Sequence, residues 1–186
     1  MVKNCFICSG KIIRNNDFSF KCLECKFYFS NLKSGFGQDV QGIESIRKKN
    51  FIKILHRIIK IKNYPKILEI GSGDGFFIEE CLKLEIPIVG SEASDDSLKN
   101  LKKKFGKKTN LLKISLPEHV KKKINKKFDF IIFNDVFEHL NKLDDVIMEL
   151  KTVLKHDGSI IINLPSSNGI IFKISELMMK FGFSKF

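Results

Sequence analysis

No run of apolar residues in this chain is long enough to cross a bilayer, which excludes a helical membrane protein. No segment recurs at solenoid length, which excludes a repeat array. Nothing behind Met1-Val2-Lys3-Asn4 reads as an apolar signal region, so export is not expected and a reducing cytoplasm is the expected compartment. Tryptophan is absent, and the aromatic residues are almost all phenylalanine, 18 of them. They are not interleaved with the lysine clusters, as a platform for single-stranded nucleic acid would need. Acidic residues are scarce, 21 against 33 lysines and arginines, and the net charge is +12. The lysines gather at Lys102-Lys103-Lys104, Lys107-Lys108, Lys121-Lys122-Lys123 and Lys126-Lys127. Such runs could hold a phosphate backbone, but solvated faces in a chain rich in Lys, Ile, Asn and Phe are the favoured reading. Nucleic acid is therefore the less favoured partner, and no oligomeric state is implied.

What is present is enough for one good core: 186 residues with 43% hydrophobic content. Ile67-Leu68-Glu69-Ile70 is an apolar run carrying one acidic residue, and Gly71-Ser72-Gly73-Asp74-Gly75 follows with glycine at alternate positions. A buried parallel strand hands over to a helix in this way when a ligand must approach the loop backbone. The expected reasons for the glycines are the turn itself and the space a cofactor needs. A second strand, Pro87 to Ser91, ends at Glu92-Ala93-Ser94, about twenty residues beyond the loop, where nucleotide-binding units place the carboxylate that grips ribose hydroxyls. A helix is expected to start near Asp95.

A third strand is expected over Asn110 to Ile114, followed by Ser115 and Leu116. Phe128 to Phe133 is a continuous apolar run suited to a strand buried on both faces, and it leads into Asn134-Asp135-Val136-Phe137-Glu138-His139-Leu140. An amphipathic helix around Leu143 to Leu154, a turn at Lys155-His156-Asp157-Gly158 and a fifth strand over Ser159 to Leu164 complete the pattern. Alternating strands and helices predict an α/β fold with a doubly wound, Rossmann-like parallel sheet and its ligand above the carboxyl ends of the strands.

The pattern Glu69-x-Gly71-x-Gly73-x-Gly75 resembles the first motif of class I S-adenosylmethionine-dependent methyltransferases. The segment Phe128 to Leu140 resembles the fourth-strand motif of the subgroup that includes the ubiquinone-biosynthesis O-methyltransferases, and the likeness runs from about Lys66 to Asn168. The resemblance implies S-adenosylmethionine as cofactor. It places Glu69 at the cofactor's ammonium side, with Gly71, Ser72, Gly73 and Gly75 along its methionine portion. Glu92 and Ala93 fall at the ribose, Ser115 and Leu116 at the adenine, and Asn134 at the end of the fourth strand. The resemblance also implies two further strands after Pro165, where a helix from Gly169 to Phe181 is the only element expected; the methyltransferase fold is expected to be incomplete there.

At the amino end, Cys5-x-x-Cys8 and Cys22-x-x-Cys25 are two pairs separated by thirteen residues. Two such pairs on hairpin knuckles set four thiolates at the corners of a tetrahedron, which suits structural zinc. The residues between them, Lys11 to Lys21, are too polar and too few to build a core, so metal would supply the folding energy. The knuckles depart from the usual pattern, with Gly10 one residue late and Lys26 where glycine is common. Cys81, among Phe77, Ile78 and Leu82, reads as a small core residue. Between ribbon and sheet, Gln38 to Lys62 carries Ile43, Ile46, Phe51, Ile54, Leu55 and Ile58 at helical spacing and reads as an amphipathic helix packed on the sheet domain.

Methyl transfer needs alignment and removal of one proton from the acceptor, and His139, just past the fourth strand, is the candidate base. Asp135, Glu138 and His139 fall at i, i+3 and i+4, one face of a helix. By the resemblance they could hold a divalent metal. As a local device, Asp135 could accept from the backbone at Glu138 while Glu138 reaches back, a capping box, which is the favoured role for those two. His56, His119 and His156 are assigned no chemistry.

The expected division is a zinc ribbon over 1–31, a connecting helix over 32–64 and a cofactor-binding domain over 65–186. The function expected from the resemblance is methyl transfer to a small molecule or to a sugar or cell-surface precursor. The alternatives are a ribosomal-RNA methyltransferase with an amino-terminal zinc finger, against which stands the lack of histidine after Cys25, and an inactive ribbon module that binds a partner.

Overall fold

The computed structural model describes residues 4–15, 19–30, 44–118 and 120–164. They fall into two compact units, 4–30 and 44–164. The helix expected over Gly169–Phe181, the start of the connector at Gln38–Ile43, and His119 lie outside the described residues.

In the first unit three short strands, β1 (Ile12–Arg14), β2 (Ser19–Cys22) and β3 (Tyr28–Ser30), form an antiparallel sheet in sequence order. Ser9 and Lys26, each directly after a cysteine pair, take the left-handed backbone conformation at φ 58° and 62°. These are the positions where a glycine would be relaxed. Gly10 is crowded only by the end of the Glu24 side chain, whose carboxyl carbon would lie 2.5 Å from a Cβ there and which is free to swing away.

In the second unit, α1 (Glu44–Ile61) leads into β4 (Ile67–Ile70), α2 (Phe76–Lys83), β5 (Ile88–Glu92), α3 (Asp95–Phe105), β6 (Asn110–Lys113), α4 (Val120–Lys123) and β7 (Phe128–Asn134). A three-residue 3-10 turn at Phe137–His139 precedes α5 (Leu143–Lys151) and β8 (Leu154–Asn163). The five strands are all parallel in the order β6-β5-β4-β7-β8. The chain order therefore reverses beside β4, the switch point at which such sheets bind ligands. Alternation along the strands sorts the core into two layers. Ile67, Phe130 and Ile132 face α1, α2 and α3, while Leu68, Ile70, Ile131 and Phe133 face α4 and α5. Helix α1 buries Phe51, Leu55 and Ile58, with Phe51 edge-on to Phe77 of α2 at 5.6 Å, but leaves Ile46 63% exposed. Cys81 is fully buried in the same layer, and burial pushes its thiol pKa up.

Two expectations change at the carboxyl end of this unit. The helix after His139 stops at Lys151, and Lys155-His156-Asp157-Gly158 is not a free turn but part of β8. Pairing advances from Phe128↔Leu154 to Phe130↔Ser159, so two steps along β7 match five along β8, a bulge with three extra residues. Asp129 sits inside the bulge and explains it. Its carboxylate is 3% exposed and accepts from Lys155 Nζ at 2.8 Å, Lys62 Nζ at 2.5 Å and the Lys66 backbone N–H at 2.8 Å.

Burial alone would raise the Asp129 pKa, but the bonds from Lys155, Lys62 and Lys66 outweigh it and hold the group at about 2. A depressed carboxylate pKa means stability present above the ordinary value near 3.8 and lost as pH falls through 2. Asp129→Asn is expected to cost about 2 kcal/mol at pH 7, since two lysine heads can turn to water but the ladder between β7 and β8 loses its anchor. Urea denaturation at pH 7 and pH 2 checks this; an equal loss at both values would remove the ionic account.

Candidate functional site

The carboxyl ends of β4, β5 and β7 meet the glycine loop. Gly71, Gly73 and Gly75 all have left-handed backbone, at φ 72°, 51° and 76°. Their surroundings differ, and only one matches the expectation that glycine leaves room for a cofactor. A Cβ on Gly71 would strike Val136 at 2.5 Å, and one on Gly75 would strike Phe105 at 2.4 Å, so these two permit packing of the loop on the protein. A Cβ on Gly73 would meet nothing within 4 Å; this glycine alone faces open space. The loop is pinned to β5 by Gly71 and Ser72 N–H groups that both donate to the Ser91 carbonyl, at 3.0 and 2.9 Å.

Glu69 lies beneath the loop, 1% exposed. Its Oε1 accepts from Asn134 Nδ2 at 2.9 Å, while its Oε2 has no partner among the described residues, and neither has the buried hydroxyl of Ser72. Burial pushes the Glu69 pKa up to about 7, the bond from Asn134 and the neighbouring Ser72 hydroxyl opposing and the nearby Glu92 charge reinforcing the shift. Buried polar oxygens without partners are costly; the Ser72 hydroxyl can turn toward Glu69, but the carboxylate is still short of donors under an open glycine loop, a place where a donor from a ligand fits.

Asn134 is the last link of an amide chain. Asn50 of α1 donates to Asn163 Oδ1 at 3.0 Å, Asn163 donates to Asn134 Oδ1 at 3.3 Å, and Asn134 donates to Glu69. Three asparagines on α1, β8 and β7 thus orient one carboxylate. Asn50 and Asn163 were not legible as site residues; the single hint is an asparagine in mid-helix, where its propensity is poor.

Glu92, half-buried at the end of β5, has its Oε1 2.5 Å from the Gly73 N–H, so the carboxylate expected at the ribose also closes the glycine loop. Ala93 and Ser115 are exposed and Leu116 is half-buried at the ends of β5 and β6. Ser94 caps α3, accepting from Ser97 N–H at 3.4 Å.

Beyond β7 the structure corrects the sequence reading. Asp135 has φ 55°, a left-handed conformation that Asp tolerates better than most residues, and only a 3-10 turn follows, with no side-chain cap. A capping box needs an extended cap residue followed by an α-helix, so Asp135 and Glu138 do not form one, nor do Asp135, Glu138 and His139 share an α-helical face. Asp135 instead faces Arg47 of α1, Nε to Oδ2 3.6 Å. Among the described residues, the three do not converge as metal ligands. His139 is exposed, its backbone N–H held by the Val136 carbonyl at 3.0 Å.

In the first unit, the Sγ atoms of Cys5, Cys8, Cys22 and Cys25 lie within 4.8 Å of one another, with Cys5 to Cys25 at 3.6 Å and Cys8 to Cys22 at 3.5 Å. Thiolates about 2.3 Å from a tetrahedral zinc stand about 3.8 Å apart, so the four sulfurs fit such an ion.

An open parallel sheet whose loops gather at its switch point defines a doubly wound, Rossmann-like α/β unit. Residues 68–160, half of the chain, match the family model described as Methyltransferase domain, and the chain belongs to that family. It is 39% identical over 97 residues to a ubiquinone biosynthesis O-methyltransferase of Pelagibacter ubique (strain HTCC1062), covering 50% of this chain and 39% of that protein. It is 31% identical over 119 residues to the mitochondrial ubiquinone biosynthesis O-methyltransferase of Bos taurus, covering 58% of this chain and 32% of the relative. The chain thus spans only 39% and 32% of the length of these curated relatives. Among solved structures, a SAM-dependent methyltransferase from Archaeoglobus fulgidus shares the fold, with a TM-score of 0.56 and 23% identity over 71% of this chain and 59% of that one.

No helix among the described residues is long and apolar enough to cross a membrane.

Proposed function

We propose that this chain binds S-adenosylmethionine above the carboxyl ends of β4, β5 and β7 and transfers its methyl group to a hydroxyl of a small-molecule acceptor. The observation that carries the reading is the buried Glu69 carboxylate, its Oε2 left without a hydrogen bond, beneath a loop whose one open glycine is Gly73. These are an acceptor for an ammonium group and a surface on which a ligand can lie without meeting a side chain. Glu92 then serves the ribose, with Ala93 beside it, and the half-buried Leu116 with Ser115 flanks the adenine. When bound, the sulfonium supplies an electrophilic methyl group. The protein's own part is to hold the acceptor in line and to take up its proton on a ring nitrogen of His139.

The names of the relatives support oxygen as the methylated atom and a small molecule as acceptor, ahead of a sugar or cell-surface precursor or ribosomal RNA. Zinc on Cys5, Cys8, Cys22 and Cys25 holds the ribbon over 1–31, a structural site complete without water or substrate. Such a thiolate site belongs in a reducing compartment such as the cytoplasm.

Calorimetric titration of the reduced, zinc-loaded chain with S-adenosylmethionine and S-adenosylhomocysteine tests the reading. Binding in the micromolar range is expected, roughly −8 kcal/mol, with loss in both Gly73→Arg and Glu92→Ala. His139→Ala is expected to bind as the parent does and to lower methyl transfer about 100-fold. A folded parent chain that binds neither compound would leave the ribbon as a partner-binding module and end the enzymatic reading.

A further inference from the structure

At the end of the sheet opposite the glycine loop, a groove of about 870 Å3 opens among the first residues of β4, β5, β6 and β7 and the last turns of α2 and α3. Five lysines line it: Lys66, Lys102, Lys107, Lys108 and Lys126. They come from four places in the chain, the approach to β4, the end of α3, the loop before β6 and the approach to β7, and the fold brings them together. Among the described residues, no Asp or Glu lines the groove. Where lysines of this unit stand near carboxylates they pair with them, as Lys62 and Lys155 do with Asp129, Lys83 with Glu80, Lys104 with Glu79 and Lys113 with Asp95. None of the five groove lysines has an ion pair among the described residues.

Like charges collected in a concavity repel one another, and apolar walls such as Ile86 and Pro87 strengthen the field by excluding water. A ligand bearing several negative charges relieves that repulsion. Ammonium groups are compact, well-hydrated point charges that suit phosphate oxygens. The one aromatic residue on the lining, Phe128, is 2% exposed, so the groove offers no face for a base to stack on, which disfavours single-stranded nucleic acid. We propose that this groove binds a multivalent phosphate anion, at a site separate from the cofactor loop.

The test titrates inorganic tripolyphosphate into the full zinc-loaded chain and into two variants of equal charge, Lys102→Gln/Lys107→Gln/Lys108→Gln in the groove and Lys121→Gln/Lys122→Gln/Lys123→Gln outside it. Thermal melts confirm that both variants fold. The groove variant is expected to bind about tenfold more weakly while the other stays within about twofold, as three lost charge contacts against none would give. Sedimentation with phosphatidylcholine vesicles, with and without phosphatidylglycerol, separates the sources of the phosphate. If tripolyphosphate releases the parent chain from the anionic vesicles, the groove takes lipid headgroups. If tripolyphosphate binds and the vesicles do not, it takes a soluble phosphate compound. Absence of tripolyphosphate binding by the parent, or equal loss in both variants, overturns the proposal. So does oligouridylate binding tighter than tripolyphosphate and weakened alike by both variants, which would assign the lysines to nucleic acid.

Discussion

Glu69→Gln is expected to abolish cofactor binding while making the cofactor-free protein more stable at pH 8. The two effects have one origin. The Glu69 carboxyl is buried with one oxygen unpartnered, and its pKa is raised to about 7. An unfolded chain gives up the same proton near 4.5. Between those values the unfolded state is ionised and the folded state is not, so folding stability falls as pH rises from about 4.5 to 7, and the penalty persists above 7. A shift of this size corresponds to roughly 3 kcal/mol as an upper bound. Glutamine stays neutral and keeps the oxygen that accepts from Asn134, so the variant escapes the penalty. The melting temperatures of variant and parent are expected to coincide near pH 4 and to separate by several degrees at pH 8.

Binding moves the other way. An ammonium group needs the ionised carboxylate, and taking away one partner of a buried charge pair costs about 3–5 kcal/mol, more than 100-fold in affinity. For the parent, affinity is expected to rise with pH up to about 7 and then level off, with a proton released on binding below that point. Calorimetry in buffers of different ionisation enthalpy counts that proton. A variant that binds S-adenosylhomocysteine like the parent, with the same pH profile, would remove Glu69 from the site.

The amide chain behind Glu69 shows why part of this site could be read in the sequence and part could not. Glu69, the glycines and Glu92 lie where a strand ends, and their spacing along one βαβ unit is a local property of the sequence. Asn50 and Asn163, 113 residues apart, act on that carboxylate only through Asn134. Apart from the poor helix propensity of Asn50, nothing local distinguishes them from other asparagines in a chain rich in that residue. The same limit applies to Arg47, which meets Asp135 only because α1 packs across the strand ends. A parallel sheet covered on both faces was legible because Phe128 to Phe133 and Ile67 to Ile70 are buried, largely apolar runs; the order of its strands was not. The bulge in β8 was not, because Lys155 to Gly158 has the composition of a turn and becomes strand only through Asp129, on the neighbouring strand. The capping box failed for a local reason: it assumed that a helix follows Asp135 directly, whereas that residue turns left-handed and α5 begins at Leu143.

For the ribbon, Cys8→Ser or chelation of its metal is expected to unfold residues 4–30 while leaving the melting transition of 44–164 in place. Among the described apolar residues of the ribbon, only Cys5 and Cys22 are buried, and both are thiol ligands in the proposed zinc site. The rings of Phe6, Phe20 and Phe27 gather around Phe29 at 4.8, 5.4 and 6.0 Å, but Phe6 remains 65% exposed and Phe27 37%. Such a cluster cannot offset the conformational entropy of fixing so many residues, roughly 1–2 kcal/mol each for the backbone alone. Zinc bound by four thiolates contributes roughly 10–16 kcal/mol, and most of it is folding free energy because no preformed site exists in the unfolded chain. The core of 44–164 is built from its own residues, Phe51 to Val153, and owes nothing to the metal. Metal analysis of the parent under reductant is expected to give one zinc per chain and the Cys8→Ser variant far less. Amide spectra should then show collapsed dispersion for the ribbon alone. A variant that keeps a stoichiometric zinc, or a metal-free ribbon that keeps its dispersed signals, would mean that the aromatic cluster and three short strands suffice without the ion.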